Sequence, residues 1–140
     1  MPEMLQLEVA TPERLLVQEQ VEEVQIPALG GFVGILPGHA PMLAQLATGF
    51  LHYKAGSRRW YLAIHGGYVE VKDDHVRVLA DIAERAEEID VERARRARER
   101  AQQALLNPAL GVDPAFALAA MERAEARLAA AGDRASRSPG

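Results

Sequence analysis

Cysteine is absent from the 140 residues, and aromatic residues make up only 5% of them. The lack of cysteine excludes a disulfide framework, a thiolate metal site and a cysteine nucleophile, and it fits a reducing compartment. Long apolar runs are also missing, since no stretch approaches the roughly 20 apolar residues that a membrane-spanning helix needs. The start of the sequence, MPEMLQLEVA, has neither the basic nor the apolar segment of a secretory signal peptide.

Apolar residues nevertheless make up 49% of the chain, which is enough to build a core of aliphatic side chains. The net charge is −4, but it is unevenly distributed. Residues 1–88 carry 7 basic and 13 acidic residues, a balance of −6, and residues 89–140 carry 9 and 7, a balance of +2. A dedicated nucleic-acid-binding protein would show a strong basic excess. The charge therefore indicates that nucleic acid is not a partner, and it allows an acidic partner at the C-terminal part.

The first 84 residues have the pattern of short β-strands separated by turns. Apolar and polar residues alternate in LQLEVAT (5–11), and similar runs recur about every 8–12 residues. Residues 54–59 and 71–76 have the composition of hairpin turns, and Gly66-Gly67 is expected to separate two strands. Further strands are predicted at 15–28, 30–43, 49–56, 58–67, 67–74 and 75–83. The pattern predicts an antiparallel sandwich or barrel.

After Ile89 the apolar residues recur with the period of a helix. Asp90 is expected to cap a first helix that ends at Asn107-Pro108, and Asp113-Pro114 is expected to begin a second. The apolar stripe of the second helix is predicted to be Phe116, Ala120, Ala124, Leu128 and Ala131. Because alanine buries little area, the helical hairpin is expected to be weakly held and movable.

The predicted fold is therefore an all-β sandwich followed by an α-helical hairpin. We expect three segments: a β-sandwich domain at 1–86, a two-helix hairpin at 87–131 and a disordered tail at 132–140.

Sequence motifs of common enzyme classes are missing. The sequence has no phosphate-binding loop of the GxxxxGK[ST] type, no GxGxxG, no HExxH and no GxSxG. The four histidines lack the spacing of metal ligands and are assigned to structural or surface positions. We therefore expect neither catalytic residues nor a metal site.

The stretch GILPGHAP (34–41) is the densest cluster of turn-forming residues. It is consistent with a simple connection between strands. Composition favours that interpretation, and the alternative is a fixed surface loop that docks a partner, with Leu36 and His39 at its tip.

The stretch EEIDVERARRARERA (87–101) contains five arginines. Arg95, Arg96 and Arg98 are expected to pair with neighbouring acidic residues on a solvated helix face. Arg93 and Arg100 differ, because they are two turns apart on one face, and Arg123 and Arg127 share a face of the second helix. Four converging guanidinium groups without an acidic partner would suit a ligand that carries phosphates, and a solvated face is the alternative.

Several of these stretches resemble the epsilon subunit of F-type ATP synthase of the bacterial type. The resemblance covers nearly all of residues 3–131 and rests on VATP (9–12), GILPGHAP (34–41), HGGYVEV (65–71) and LADIAERAEEID (79–90). It implies a β-sandwich with a C-terminal helical hairpin. It also implies a non-catalytic subunit of the central stalk that helps to couple proton flow to ATP synthesis.

The resemblance implies partners for the sandwich. In this family the domain binds the gamma subunit and the membrane-embedded c-ring, beneath the alpha/beta catalytic head. The implied rotor-contact residues are Phe32, Gly34, Leu36, Pro37, Gly38 and His39. Many relatives carry an acidic residue in a GELGI pattern where this chain has Phe32, so an apolar contact is expected here. The protein is expected at the cytoplasmic face of the plasma membrane, peripheral and membrane-associated only through the complex.

For the hairpin, the resemblance implies regulation by ATP. In bacterial relatives the hairpin extends into the catalytic head and inhibits ATP hydrolysis, or folds onto the sandwich, where some relatives bind ATP. The family motif Ile/Leu-Asp-x-x-Arg-Ala is matched at residues 89–94. The implied nucleotide-binding residues are Glu84, Ile89, Asp90, Arg93, Ala94, Arg100, Arg123 and Arg127. ATP would be a regulatory ligand that is bound and not hydrolysed.

Two other functions remain open from the sequence. One is a structural coupling subunit whose hairpin binds no nucleotide. The other is a free-standing cytosolic nucleotide-binding module.

Overall fold

The computed structural model describes residues 3–132, which form a seven-stranded sheet followed by two helices. The tail predicted at 132–140 lies outside this range except for Gly132. Helix α1 spans Val91–Leu106 and helix α2 spans Pro114–Ala131, with short 3₁₀ turns at Ala86–Glu88 and Pro108–Leu110. The strands are β1 Leu5–Ala10, β2 Leu15–Val21, β3 Glu23–Ala28, β4 Gly31–Ile35, β5 Met42–Ala55, β6 Arg58–Lys72 and β7 His75–Arg85.

The strands are hydrogen-bonded in the order β2-β1-β7-β6-β5-β3-β4. Neighbours are antiparallel except for β1 and β7, which run parallel. Strands from both ends of this order contribute to one apolar cluster, for example Leu16 of β2 and Ile35 of β4. The sheet therefore folds over a single core, and the predicted sandwich with a C-terminal helical hairpin is confirmed.

The long central strand β6 runs without interruption through Gly66 and Gly67. The prediction that these glycines separate two strands is therefore wrong. Both glycines have positive φ, 74° and 118°, and the face that points into the core changes there. Before them the even-numbered Leu62 and Ile64 lie in the core, and after them the odd-numbered Val69 and Val71 do. The alternation breaks because the pleat is inverted, not because the strand ends.

The same inversion occurs in both neighbours of β6. In β5 an even-numbered residue, Leu46, faces the core before the inversion and an odd-numbered one, Leu51, after it. In β7 the same change occurs between Ala80 and Ala83. The predicted hairpin turns are confirmed at Gly56-Ser57 and Asp73-Asp74. Because successive side chains of a strand point to opposite sides, Ala63 of β6, between the core residues Leu62 and Ile64, faces away from the core. We call this side of β5, β6 and β7 the outer face.

Helix α2 lies between α1 and the sheet, and it packs on α1, β5 and β6. The predicted caps are confirmed, since Asp90 accepts a hydrogen bond from the Arg93 backbone N–H at 3.1 Å and Asp113 accepts one from Ala115 at 2.9 Å. The predicted stripe is wrong at Phe116, which is 67% exposed, whereas Ala117 is buried. The α2 residues that are buried are Ala117, Ala124, Ala126, Leu128 and Ala130.

Candidate functional site

The four arginines singled out in the hairpin lie on two antiparallel helices. Arg93 and Arg100 are separated by about 10 Å along α1, and Arg123 and Arg127 by about 6 Å along α2, given the rise of an α-helix. Because the start of α1 lies beside the end of α2, Arg93 is at the level of Arg127, near the sheet end of the hairpin. Arg100 lies nearer the tip, where it lines an open cavity of about 520 Å³ with Leu110 and Val112.

Three of these arginines have no acidic partner. Within residues 3–132 the side chains of Arg93, Arg100 and Arg123 form no hydrogen bond or ion pair. On the solvated face of α1, Arg95 pairs with Glu92 as predicted. The same pairing predicted for Arg96 and Arg98 is wrong, because no acidic residue in the described part of the chain comes within ion-pair distance of them. Lack of a partner alone therefore does not single out the candidate site.

The fourth arginine does have an acidic partner, contrary to the premise drawn from the sequence. Arg127 Nε donates to Glu84 Oε1 at 2.8 Å. The same oxygen lies 2.8 Å from His65 Nε2. These three side chains come from α2, β7 and β6, and we call them the Glu84 triad. It joins two predicted site residues, Glu84 and Arg127, to a histidine for which the sequence predicts only a structural or surface position.

The Glu84 triad is shielded from solvent. The side chain of His65 is 4% exposed, that of Glu84 25% and that of Arg127 30%. The pKa of Glu84 lies below its ordinary value, chiefly because His65 hydrogen-bonds to the carboxylate, with burial opposing this and Arg127 reinforcing it. Glu84 is therefore an ionised acceptor that ties α2 to the sheet.

The segment between sheet and hairpin, residues 86–90, is the hinge segment. Glu88 accepts hydrogen bonds from Arg14 at 2.7 Å and from Arg85 at 3.2 Å. Arg14 also donates to the carbonyl of Ala83, and its bond to Glu88 is the main reason why the pKa of Glu88 lies below its ordinary value. Of the motif residues, Ile89 is half-buried and Asp90 caps α1, while Ala94 is buried in the helix packing.

The predicted rotor-contact residues lie on an edge strand and the loop that follows it. Phe32 and Leu36 are more than half exposed and, with Gly34 between them, share one face of the chain at β4. We call these three residues and the loop 37–39 the rotor surface. The Gly38 N–H donates to the carboxylate of Asp74 at 2.7 Å, which fixes the loop to the turn between β6 and β7.

The rest of the loop is a compact turn. The His39 backbone N–H donates to the carbonyl of Leu36 at 3.1 Å, and the His39 ring nitrogen Nδ1 lies 2.7 Å from the carbonyl of Ala40. Pro37 and His39 are half-buried. Phe32 also packs on Phe50 of β5, with ring centroids 5.1 Å apart. The rotor surface is thus rigid and largely apolar.

Among residues 3–132 there is no group of three or more His, Asp or Glu side chains arranged to hold a metal ion. No helix in the same range is long and apolar enough to cross a bilayer.

Two family models together cover residues 4–132 of the chain. A family model described as the ATP synthase delta/epsilon chain, β-sandwich domain, matches residues 4–86, and one described as the long α-helix domain of the same chain matches residues 87–132. The ATP synthase epsilon chain of Solibacter usitatus is 64% identical over 131 residues, covering 94% of this chain and 98% of that one. The epsilon chain of Nitratidesulfovibrio vulgaris strain DP4 is 46% identical over 133 residues, covering 95% and 99%.

Solved structures give the same result. One match is a chain in a structure of the OSCP, F1 and c-ring part of the Euglena gracilis mitochondrial ATP synthase. The TM-score is 0.78 and the identity 31%, over 94% of this chain and 82% of that one. A chain of the Tetrahymena thermophila central stalk and c-ring shares the fold alone, with a TM-score of 0.52 and 14% identity over 66% of this chain and 71% of that one. The protein therefore belongs to the family of ATP synthase epsilon chains.

Proposed function

We propose that this chain is a non-catalytic rotor subunit of a bacterial F-type ATP synthase, peripheral at the cytoplasmic face of the plasma membrane. The sandwich binds the gamma subunit and the c-ring below the alpha/beta head and helps to couple proton-driven rotation to ATP synthesis. The observation that carries this is the match, over 94% of the chain, to a subunit in an assembly of F1 with a c-ring. Co-purification of the tagged chain with gamma and the c-ring tests it, because a free-standing nucleotide-binding module would purify alone.

The rotor surface is the part of the sandwich that we assign to the c-ring. Phe32 and Leu36 are exposed apolar side chains on a rigid edge, so docking buries them without a large cost of ordering. Leu36→Asp is expected to lower ATP-driven proton pumping in the assembled enzyme while ATP hydrolysis continues. Leu118→Asp, at a residue of α2 that is also half exposed, is the matched control. Equal proton pumping by the Leu36→Asp and Leu118→Asp enzymes would show that the rotor surface does not contact the c-ring.

For the hairpin we propose that ATP is its regulatory ligand. Within residues 3–132, Arg93, Arg100 and Arg123 have no carboxylate partner, and guanidinium groups hold phosphate oxygens bidentately. The remaining members of the proposed site are Glu84, Ile89, Asp90, Ala94 and Arg127. ATP then stabilises the hairpin on the sandwich by the difference between its affinities for the folded and extended states. The extended hairpin is the form that inhibits ATP hydrolysis.

Arg123→Ala is the sharpest test of the nucleotide site, because it leaves the Glu84 triad intact. Loss of one charge-assisted contact of about 1.5–3 kcal/mol weakens ATP binding by about 10- to 150-fold. Arg123→Ala combined with Arg127→Ala is expected to abolish binding while the sandwich stays folded. Arg95→Ala, which breaks the pair with Glu92 on the solvated face of α1, is the control. Calorimetry on the isolated chain measures all three, and unchanged affinity in the double variant rejects the site.

Truncation tests the inhibitory role separately. An assembled enzyme that lacks residues 89–140 is expected to hydrolyse ATP faster than the intact enzyme, because the element that blocks the head is gone. If its hydrolysis rate is unchanged or lower, the hairpin does not inhibit. If, in addition, the intact chain shows no ATP binding by calorimetry, the protein is a structural coupling subunit.

A further inference from the structure

His65 lies on the outer face of β6, away from the sandwich core. The core residues Leu62 and Ile64 have even numbers in this half of the strand, so Ala63 and His65 point to the opposite side. Both are nevertheless buried, with 0% and 7% of their surface exposed. Helix α2 packs on β5 and β6, and it is the layer that covers this side of the sheet. His65 is therefore buried by the docked hairpin.

The hydrogen bond between His65 and Glu84 has a defined direction. An ionised carboxylate only accepts, so Nε2 of His65 carries the proton and donates it. The other ring nitrogen, Nδ1, is buried and has no hydrogen-bond partner within the described residues. A buried polar atom without a partner is unfavourable, and a purely apolar side chain would fill this position without that cost.

The position of Glu84 depends on this bond. Its oxygen Oε1 accepts hydrogen bonds from both His65 and Arg127, while a quarter of the Glu84 side chain remains exposed. Without the donor from His65 only Arg127 holds the carboxylate, which gains freedom to turn toward solvent, so the contact between the sheet and Arg127 is weakened. The ring of His65 thus acts on the hairpin through Glu84.

From these contacts we propose that His65 is a positioning residue: its Nε2–H holds Glu84 where Arg127 of α2 meets it and so stabilises the docked hairpin. The proposal rests on the proposed function insofar as it assumes that the hairpin leaves the sheet. It assigns to β6 a part in the equilibrium between folded and extended hairpin, in addition to the residues of the nucleotide motif.

Two substitutions separate the hydrogen bond from the volume of the ring. His65→Gln keeps an N–H donor at about the reach of Nε2, whereas His65→Leu fills similar space without a donor. Amide hydrogen exchange of the full chain without ATP is the measurement. We expect exchange in α2 to be at least about 10-fold faster in His65→Leu and within about 3-fold of wild type in His65→Gln. Core amides of β1 and β7 should be unchanged, which shows that the sandwich remains folded.

A double variant makes the test decisive. In an Arg127→Met background, His65→Leu is expected to add no further increase in α2 exchange, because both changes break the same link. Equal exchange in the Leu and Gln variants, or fully additive effects with Arg127→Met, would overturn the positioning role. The proposal that ATP binds the hairpin has a separate test. It fails if saturating ATP leaves amide exchange in α2 of the wild-type chain unaltered, whatever the His65 variants show.

Discussion

Gly67 occupies the point at which the pleat of β6 inverts against β7, and we expect Gly67→Ala to be severely destabilising. A Cβ atom at this position would lie 2.1 Å from the carbonyl oxygen of Leu79 and 2.7 Å from Cα of Ala80. Both are backbone atoms of a paired strand, so no side-chain rotation relieves the contact. The φ of 118° is also unfavourable for alanine.

The size of the effect is the sum of two costs. Backbone strain of this kind costs about 1–3 kcal/mol, and overpacking costs about 1–3 kcal/mol. We therefore expect the free energy of unfolding to fall by about 4 kcal/mol, a large part of the 5–15 kcal/mol of an ordinary domain. Urea unfolding measures it, with the fluorescence of the single tryptophan, Trp60, as the probe because it packs against the core.

Gly66→Ala is the matched control at the adjacent residue. Its φ is 74°, and the nearest atom to an added Cβ is Oδ2 of Asp81 at 2.8 Å, the end of a side chain that can rotate away. The remaining cost is that of holding an alanine in the left-handed conformation, about 1–2 kcal/mol. If Gly67→Ala proves no more destabilising than Gly66→Ala, the close approach of β6 and β7 does not constrain the fold.

Three other predictions concern the hairpin. Arg127 of α2 helps to keep the pKa of Glu84 below its ordinary value of 4.5. The contribution of this ion pair to docking should therefore be complete above that pH and should decrease as the pH falls below it. Hydrogen exchange in α2 should accordingly become faster in acid. Ala124→Leu should lower the free energy of unfolding of the hairpin by about 1–3 kcal/mol, because Ala124 is fully buried in the helix packing; unaltered α2 exchange would contradict this. Glu88→Gln removes the charge shared by Arg14 and Arg85 and should speed exchange in the hinge segment, less so at high salt.

Local chemistry made much of the fold predictable. Asp90 and Asp113 cap helices because each side chain satisfies backbone N–H groups within its own first turn. The Asp73-Asp74 turn is similarly local, with φ of 50° and 59°. The error at Gly66-Gly67 has a physical cause, since a strand that inverts its pleat and a strand that ends produce the same break in alternation.

Phe116 shows the limit of helical periodicity. The predicted stripe of α2 is right at Ala124 and Leu128, which are buried, but it begins one residue too early, because alanines occur on several sides of the helix. Two surfaces, α1 and the sheet, compete for them, and packing buries Ala117 instead of Phe116. Only the docked arrangement decides which alanines face inward.

The Glu84 triad could not be predicted from the chain alone. The motif at 89–94 and its paired arginines are visible in the sequence, since they depend on spacing along single helices. The Glu84 partners are 19 and 43 residues away, and they meet only because β6 and β7 pair in one register and α2 lies across them. Composition and periodicity were enough for the sandwich and the hairpin, and the resemblance of motifs such as GILPGHAP (34–41) indicated the family. Register and helix docking, which depend on the whole core, determined that Arg127 has an acidic partner and that His65 is buried behind it.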